Sequence, residues 1–181
     1  RAGDFGFLQQ AGLANGFTVE EAATVQLDGL RVSSTGVRNA LGVADFTLAE
    51  ALLGRPFQIA GRVLHGQKLG RQLGAPTANI QLKRKRVPLT GVYLVSIELD
   101  GQVWPGAANI GVRPSVKSDG LAHLEVHLLD YAGDLYGRHL GVTFHRKLRD
   151  EQRFASLDEL KAAIAADIAA ARASWPGNHF Q

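Results

Sequence analysis

The chain has 181 residues, 45% hydrophobic and 20% charged, with 21 glycines and 6 prolines. That balance is globular and excludes collagen, coiled coil and wholesale disorder, and no stretch reaches the ~18 apolar residues of a membrane span. The absence of cysteine removes disulfides, thiolate metal sites and cysteine nucleophiles, while a net charge of +3 permits anionic ligands such as ATP without demanding nucleic acid. Methionine is also absent, and RAGDFGFLQQ at the start does not read as a signal peptide. A cytoplasmic protein with no membrane attachment is the expectation.

In chain order, residues 24–27 read as a strand entering a tight turn at Asp28-Gly29. Ser33-Ser34-Thr35 precedes an apolar-periodic segment and predicts a helix start. Thr47 followed by Glu50 is a capping-box pattern, and Gly54 is a suitable C-terminal stop. The composition changes at Gly54-Arg55-Pro56. Residues 1–54 are too few and too interrupted for an independent domain and read as the tail of something larger.

Beyond the seam, short alternating segments predict strands over 57–64, 78–82, 91–99, 103–110, 121–129 and 140–148, with Asp100-Gly101 as a hairpin turn. Ser156 and Glu159 form a second capping box. Leu157, Leu160, Ile164, Ile168, Ala171 and Trp175 then recur at helical spacing until Pro176-Gly177. The pattern predicts a small closed or nearly closed antiparallel barrel, with one amphipathic helix packed across it.

Four stretches could carry chemistry. The glycine-rich segment containing Gly66, Lys68, Gly70 and Arg71 could bring backbone amides and positive charge to a phosphate, or be a turn between strands. In Pro76-Thr77-Ala78-Asn79 a hydroxyl and a carboxamide fall on one side of an extended chain. Both are hard neutral donors suited to Mg²⁺ on a nucleotide, though a Thr and an Asn equally serve local backbone groups. The alternation of His123-Leu-Glu125-Val-His127 places His123, Glu125 and His127 on one strand face. That face suits a general base at Glu125, a transition-metal site, or a merely polar rim. Lys83-Arg84-Lys85-Arg86 lacks interleaved aromatics and reads as a solvated loop rather than a nucleic-acid contact.

Taken together, Leu53-Gly-Arg-Pro-Phe57, Gly61-Arg-Val, His65-Gly-Gln-Lys-Leu-Gly-Arg71, Leu73-Gly-Ala-Pro-Thr-Ala-Asn79, Gly91-Val-Tyr93, Ala108-Asn-Ile-Gly-Val-Arg-Pro114, Leu124-Glu-Val-His-Leu-Leu-Asp130 and Leu148-Arg-Asp-Glu151 resemble the riboflavin kinase domain of bifunctional bacterial FAD synthetases. The resemblance implies a mainly β fold, a six-stranded antiparallel Greek-key barrel with a C-terminal α-helix, over residues 55–181. It implies transfer of the ATP γ-phosphoryl group to the 5′-hydroxyl of riboflavin, giving FMN. Under it, Glu125 is the catalytic base, Thr77 and Asn79 hold Mg²⁺ and nucleotide phosphates, and Gly66, Lys68, Gly70 and Arg71 belong to the phosphate-covering loop. Asn109, Arg113 and Arg149 lie toward the flavin.

Arg1-Ala-Gly-Asp-Phe5 and Arg31-Val-Ser-Ser-Thr-Gly-Val-Arg38 resemble the closing part of that family's FMN adenylyltransferase domain. This implies an α/β nucleotidyltransferase remnant over residues 1–54, with Ser33, Ser34, Thr35 and Arg38 as phosphate contacts. The family's paired His-x-Gly-His motif is absent, and Ala44-Asp45-Phe46 stands where the family has Gly-Asp-Phe. The expectation is a fragment of a bifunctional enzyme that does not by itself adenylylate FMN. The alternatives are a non-catalytic flavin-binding barrel and, behind it, a nucleic-acid-binding barrel using the basic run at Lys83.

Overall fold

The computed structural model describes residues 4–21, 23–66, 74–82, 87–112 and 122–175. Two compact units divide the chain between Val32 and Ser33. The first holds helix α1 (Phe5–Asn15) and a two-stranded hairpin, β1 (Gln26–Leu27) and β2 (Leu30–Arg31). Asp4 caps α1 by accepting a hydrogen bond from the Phe7 N–H at 2.9 Å, and Gly16 ends it in the left-handed conformation. The hairpin turn is the expected Asp28-Gly29, both residues at positive φ as a two-residue turn requires.

The second unit begins with α2 (Ser34–Gly42) and α3 (Phe46–Leu53). Ser33 caps α2 as the sequence predicts, its Oγ accepting from Gly36 N–H at 3.1 Å. The cap of α3 is Asp45 and not Thr47: Asp45 Oδ1 accepts from Leu48 N–H at 2.9 Å, so Thr47 already lies inside the helix. Ala44, just before this cap, sits at φ 58°. The compact unit therefore reaches further toward the N-terminus than the compositional seam at 54. The reason is packing, since Ala40, Leu41 and Ala49 of the two helices share one buried cluster with the strands.

Six strands follow: β3 (Gln58–Leu64), β4 (Ala78–Ile80), β5 (Gly91–Leu99), β6 (Gln102–Val112), β7 (Ala122–Leu128) and β8 (His139–Arg149). They close an antiparallel barrel in the order β3-β4-β7-β6-β5-β8. Strands β5, β6 and β7 are successive neighbours, and β8 returns beside β5, which is the Greek-key arrangement. Asp100 and Gly101, both at positive φ, make the β5–β6 turn.

Alternation sorts the two faces. On β7, Ala122, Leu124, Val126 and Leu128 are buried inside the barrel, while His123, Glu125 and His127 face outward and are half-buried. An aromatic group completes the core: Phe46 of α3 lies 5.8 Å from Tyr93 and 6.3 Å from Phe144, and Phe57 lies 5.8 Å from Phe144. Burying such rings is worth about 2–3 kcal/mol each, so α3 is anchored to the barrel by its first residue.

The C-terminal helix α4 (Leu157–Ser174) starts at the predicted cap, Ser156 Oγ accepting from Glu159 N–H at 3.2 Å. It covers part of the outer surface. Ala171 is fully buried with Leu94, Ala107 and Leu129, and Ile168, Leu148 and Trp175 pack around them. The outward faces of β4 and β7 carry Asn79, His123, Glu125 and His127.

Candidate functional site

Register decides which of the polar side chains meet. Asn79 on β4 pairs with Glu125 on β7, and Glu125 pairs in turn with Asn109 on β6. Directly opposed residues of antiparallel strands point to the same face with their Cβ atoms about 5 Å apart. Three residues separated by up to 46 positions thus form one transverse row on the outer barrel wall. The row continues through Val92 to Arg149. The Oδ1 atom of Asn109 is buried and has no hydrogen-bond partner, an acceptor held ready at the end of the polar triplet.

The glycines around this row explain themselves by contact. A Cβ at Gly66 would lie 2.6 Å from Cγ of Asn79, so glycine lets the chain pass over that carboxamide without displacing it. A Cβ at Gly111 would lie 2.9 Å from Cδ of Glu151, which places the carboxylate of Glu151 over β6 beside the row. In the sequence Glu151 ends the Leu-Arg-Asp-Glu string with nothing beside it that marks a site residue. No spacing rule connects it to Gly111.

Thr77 precedes β4 and lines a cavity of about 60 Å³ together with Val63, Ala78, Val126, Tyr131, Leu135 and Tyr136. Tyr136 lines it and packs against His65 with ring centroids 3.9 Å apart, fixing the chain just before Gly66. His127 Nδ1 lies 2.9 Å from the carbonyl oxygen of Pro76, tying β7 to the turn that carries Thr77.

Arg149 is engaged elsewhere. Its Nε and Nη2 donate to the two carboxylate oxygens of Asp167 on α4 at 2.8 and 2.7 Å, and Nη1 donates to the Asp150 carbonyl. The ring of Phe154 lies 5.6 Å from its guanidinium carbon. Such a bidentate pair docks the helix on the barrel and leaves few donors for a ligand. Ser33 spends its hydroxyl on the α2 cap, while Ser34, Thr35 and Arg38 are exposed on the first turns of that helix. Lys68, Gly70, Arg71, Arg113 and the basic run at 83–86 lie outside the described residues.

The alternative of a transition-metal triplet on β7 finds no support. Among the described residues no group of three or more His, Asp or Glu side chains could hold a metal ion, and His127 Nδ1 is already hydrogen-bonded.

With this geometry in view, the flavokinase (riboflavin kinase) family profile matches residues 53–175, the barrel and its helix together. The chain belongs to the riboflavin kinase family. Its bifunctional riboflavin kinase/FMN adenylyltransferase relative from Pseudomonas fluorescens is 77% identical over 173 residues, covering 96% of this chain and 56% of that protein. The protein of the same description from Escherichia coli K12 is 54% identical, over 95% of this chain and 55% of its own length. The chain thus spans little more than half the length of these relatives. A solved structure described as a macrolide-efflux protein from Streptococcus pneumoniae superposes with a TM-score of 0.71 at 34% identity, over 84% of this chain and 50% of that one. Among the described residues of this riboflavin kinase domain, no helix is long and apolar enough to cross a membrane.

Proposed function

We propose that the chain transfers the γ-phosphoryl group of ATP to the ribityl 5′-hydroxyl of riboflavin, giving FMN and ADP. The observation that carries this reading is the register that sets Asn79, Glu125 and Asn109 side by side on one face. Glu125 accepts the proton of the attacking hydroxyl. The hydroxyl oxygen bonds to the γ-phosphorus while the bond from that phosphorus to the bridging oxygen of ADP breaks. Phosphoryl transfer passes through a loose transition state, so the protein's work is to hold reactants in line and neutralise charge.

Thr77 and Asn79 fit a magnesium ion delivered with the nucleotide, because they offer a hydroxyl and an amide oxygen, hard and neutral. When bound, that ion supplies charge neutralisation across the phosphate oxygens. Gly66 gives room for the Asn79 carboxamide, and Lys68, Gly70 and Arg71 would complete the phosphate side. Asn109, Arg113 and Arg149 are assigned to the flavin side by the same motifs. These roles are consistent with the matching motifs in the riboflavin kinase family.

Residues 1–54 correspond, in this reading, to the closing part of an FMN adenylyltransferase domain in a longer, bifunctional parent acting in the cytoplasm. Helix α1 supports it: Phe7, Leu8 and Leu13 are exposed and only Gly12 of the helix is buried, a pattern expected of a helix that packs within a larger body. The alternatives, a flavin-binding barrel without turnover and a nucleic-acid-binding barrel, predict no ATP consumption with riboflavin.

The direct test is Glu125→Gln. Turnover of riboflavin should fall by about 10²–10⁴, with nucleotide binding retained. A variant that turns over at the wild-type rate would remove Glu125 from the reaction.

A further inference from the structure

We infer that His127 is a positioning residue for nucleotide binding, acting on Thr77 through the Pro76 carbonyl. The inference deepens the proposal above and rests on Thr77 contacting the nucleotide. It starts from where the β4–β7 ladder stops. Asn79 pairs with Glu125 and Ala78 with Val126, and the next step would oppose Thr77 to His127. The ladder ends at Ala78 instead, and Pro76 has no N–H with which to extend it.

The His127 side chain takes over where backbone pairing ends. Its Nδ1 lies 2.9 Å from the Pro76 oxygen, and facing a carbonyl that nitrogen must carry the hydrogen and donate it. The Pro76 carbonyl and the Thr77 N–H belong to one rigid peptide plane. Holding the oxygen therefore restrains the rotation of that plane and the position of the Thr77 backbone from which its side chain leaves. Ala107, opposite His127 on β6, is small enough to leave the imidazole space.

Two further features fit a fixed device. His127 shares its outward strand face with Glu125 two residues earlier, so one strand carries the proposed base and aims the proposed nucleotide ligand. Asp130, close enough to interact electrostatically with His127, is clamped by Nη1 and Nη2 of Arg172, each at 2.8 Å. The turn that follows the ring is thereby tied to α4.

The experiment compares His127→Ala, His127→Asn, Thr77→Ala and the His127→Ala/Thr77→Ala double variant. It measures kcat, KM for ATP, KM for riboflavin, ADP affinity by calorimetry and the thermal midpoint. Asn is the rescue variant because its Nδ2 occupies nearly the place of the imidazole Nδ1. In His127→Ala, KM for ATP should rise and ADP affinity fall by about 5- to 10-fold, as expected for one lost hydrogen bond, with KM for riboflavin unchanged. His127→Asn should restore most of that loss, and in the Thr77→Ala background His127→Ala should add little.

Unchanged nucleotide affinity in a folded His127→Ala, or full additivity with Thr77→Ala, overturns the inference while leaving the proposed activity standing. Unchanged nucleotide affinity in Thr77→Ala overturns the reading beneath it. Should His127→Ala not fold, His127→Gln replaces it, since it carries its amide one bond too far out to reproduce the contact.

Discussion

At the level of single residues, the account turns on contacts that allow no slack. A methyl group at Gly66 would meet the Asn79 carboxamide, and Gly66 is not held at positive φ, so the backbone itself would accept alanine. Gly66→Ala should therefore lower kcat/KM by about 100-fold through a displaced Asn79 while leaving the thermal midpoint nearly unchanged. Steady-state kinetics beside a melting curve checks both halves. Ala44 gives the opposite kind of prediction. It sits at φ 58°, where a Cβ is unfavourable, and it occupies the position before the Asp45 cap where the family resemblance has glycine. Ala44→Gly should stabilise the protein by about 1 kcal/mol, read as a raised urea midpoint with unchanged activity.

At the level of elements, what could be read from sequence was what is decided locally. The caps at Ser33 and Ser156, the turns at Asp28-Gly29 and Asp100-Gly101, and the alternation on β7 all depend on a few neighbouring residues, and all stand in the structure. The α3 cap was misplaced because two capping patterns overlap. Thr47 with Glu50 satisfies the motif, but Asp45 offers a carboxylate two residues earlier and takes the Leu48 N–H. The His127–Pro76 bond spans 51 residues, and the Arg149–Asp167 pair joins a strand to a helix. Neither has a local signature. Register placed Asn79, Glu125 and Asn109 in one row, and only the closed barrel reveals it.

The packing of α4 brings a pH dependence with it. His145 on β8 makes a 2.8 Å contact from Nε2 to Ser96 Oγ and lies beside the Trp175 ring. Burial pushes its pKa below the ordinary 6.5, with Glu50 of α3 pulling weakly the other way. The unfolded chain thus binds a proton that the folded chain resists, so stability is present above pH 6.5 and falls as pH drops below it. Urea unfolding at about pH 7.5 and about pH 5.5 should show this loss, and His145→Asn should diminish it. An equal loss in that variant would assign the effect to other groups.

At the level of the whole molecule, a Greek-key barrel supplies a rigid wall, α4 covers one part of its outside, and a row of polar side chains occupies another. Chemistry placed on strands rather than loops is held to tight tolerances, which suits a reaction that depends on alignment more than on covalent assistance. The same molecule carries helix α1, whose exposed apolar residues fit the proposal of a longer parent. The most direct measurement is to incubate the 181-residue chain with riboflavin, ATP and magnesium and to separate the flavins and nucleotides by chromatography. FMN and ADP should accumulate in equal amounts, and both should fall together in Glu125→Gln. Riboflavin left intact with ATP unconsumed, in a protein shown to be folded, would contradict the account.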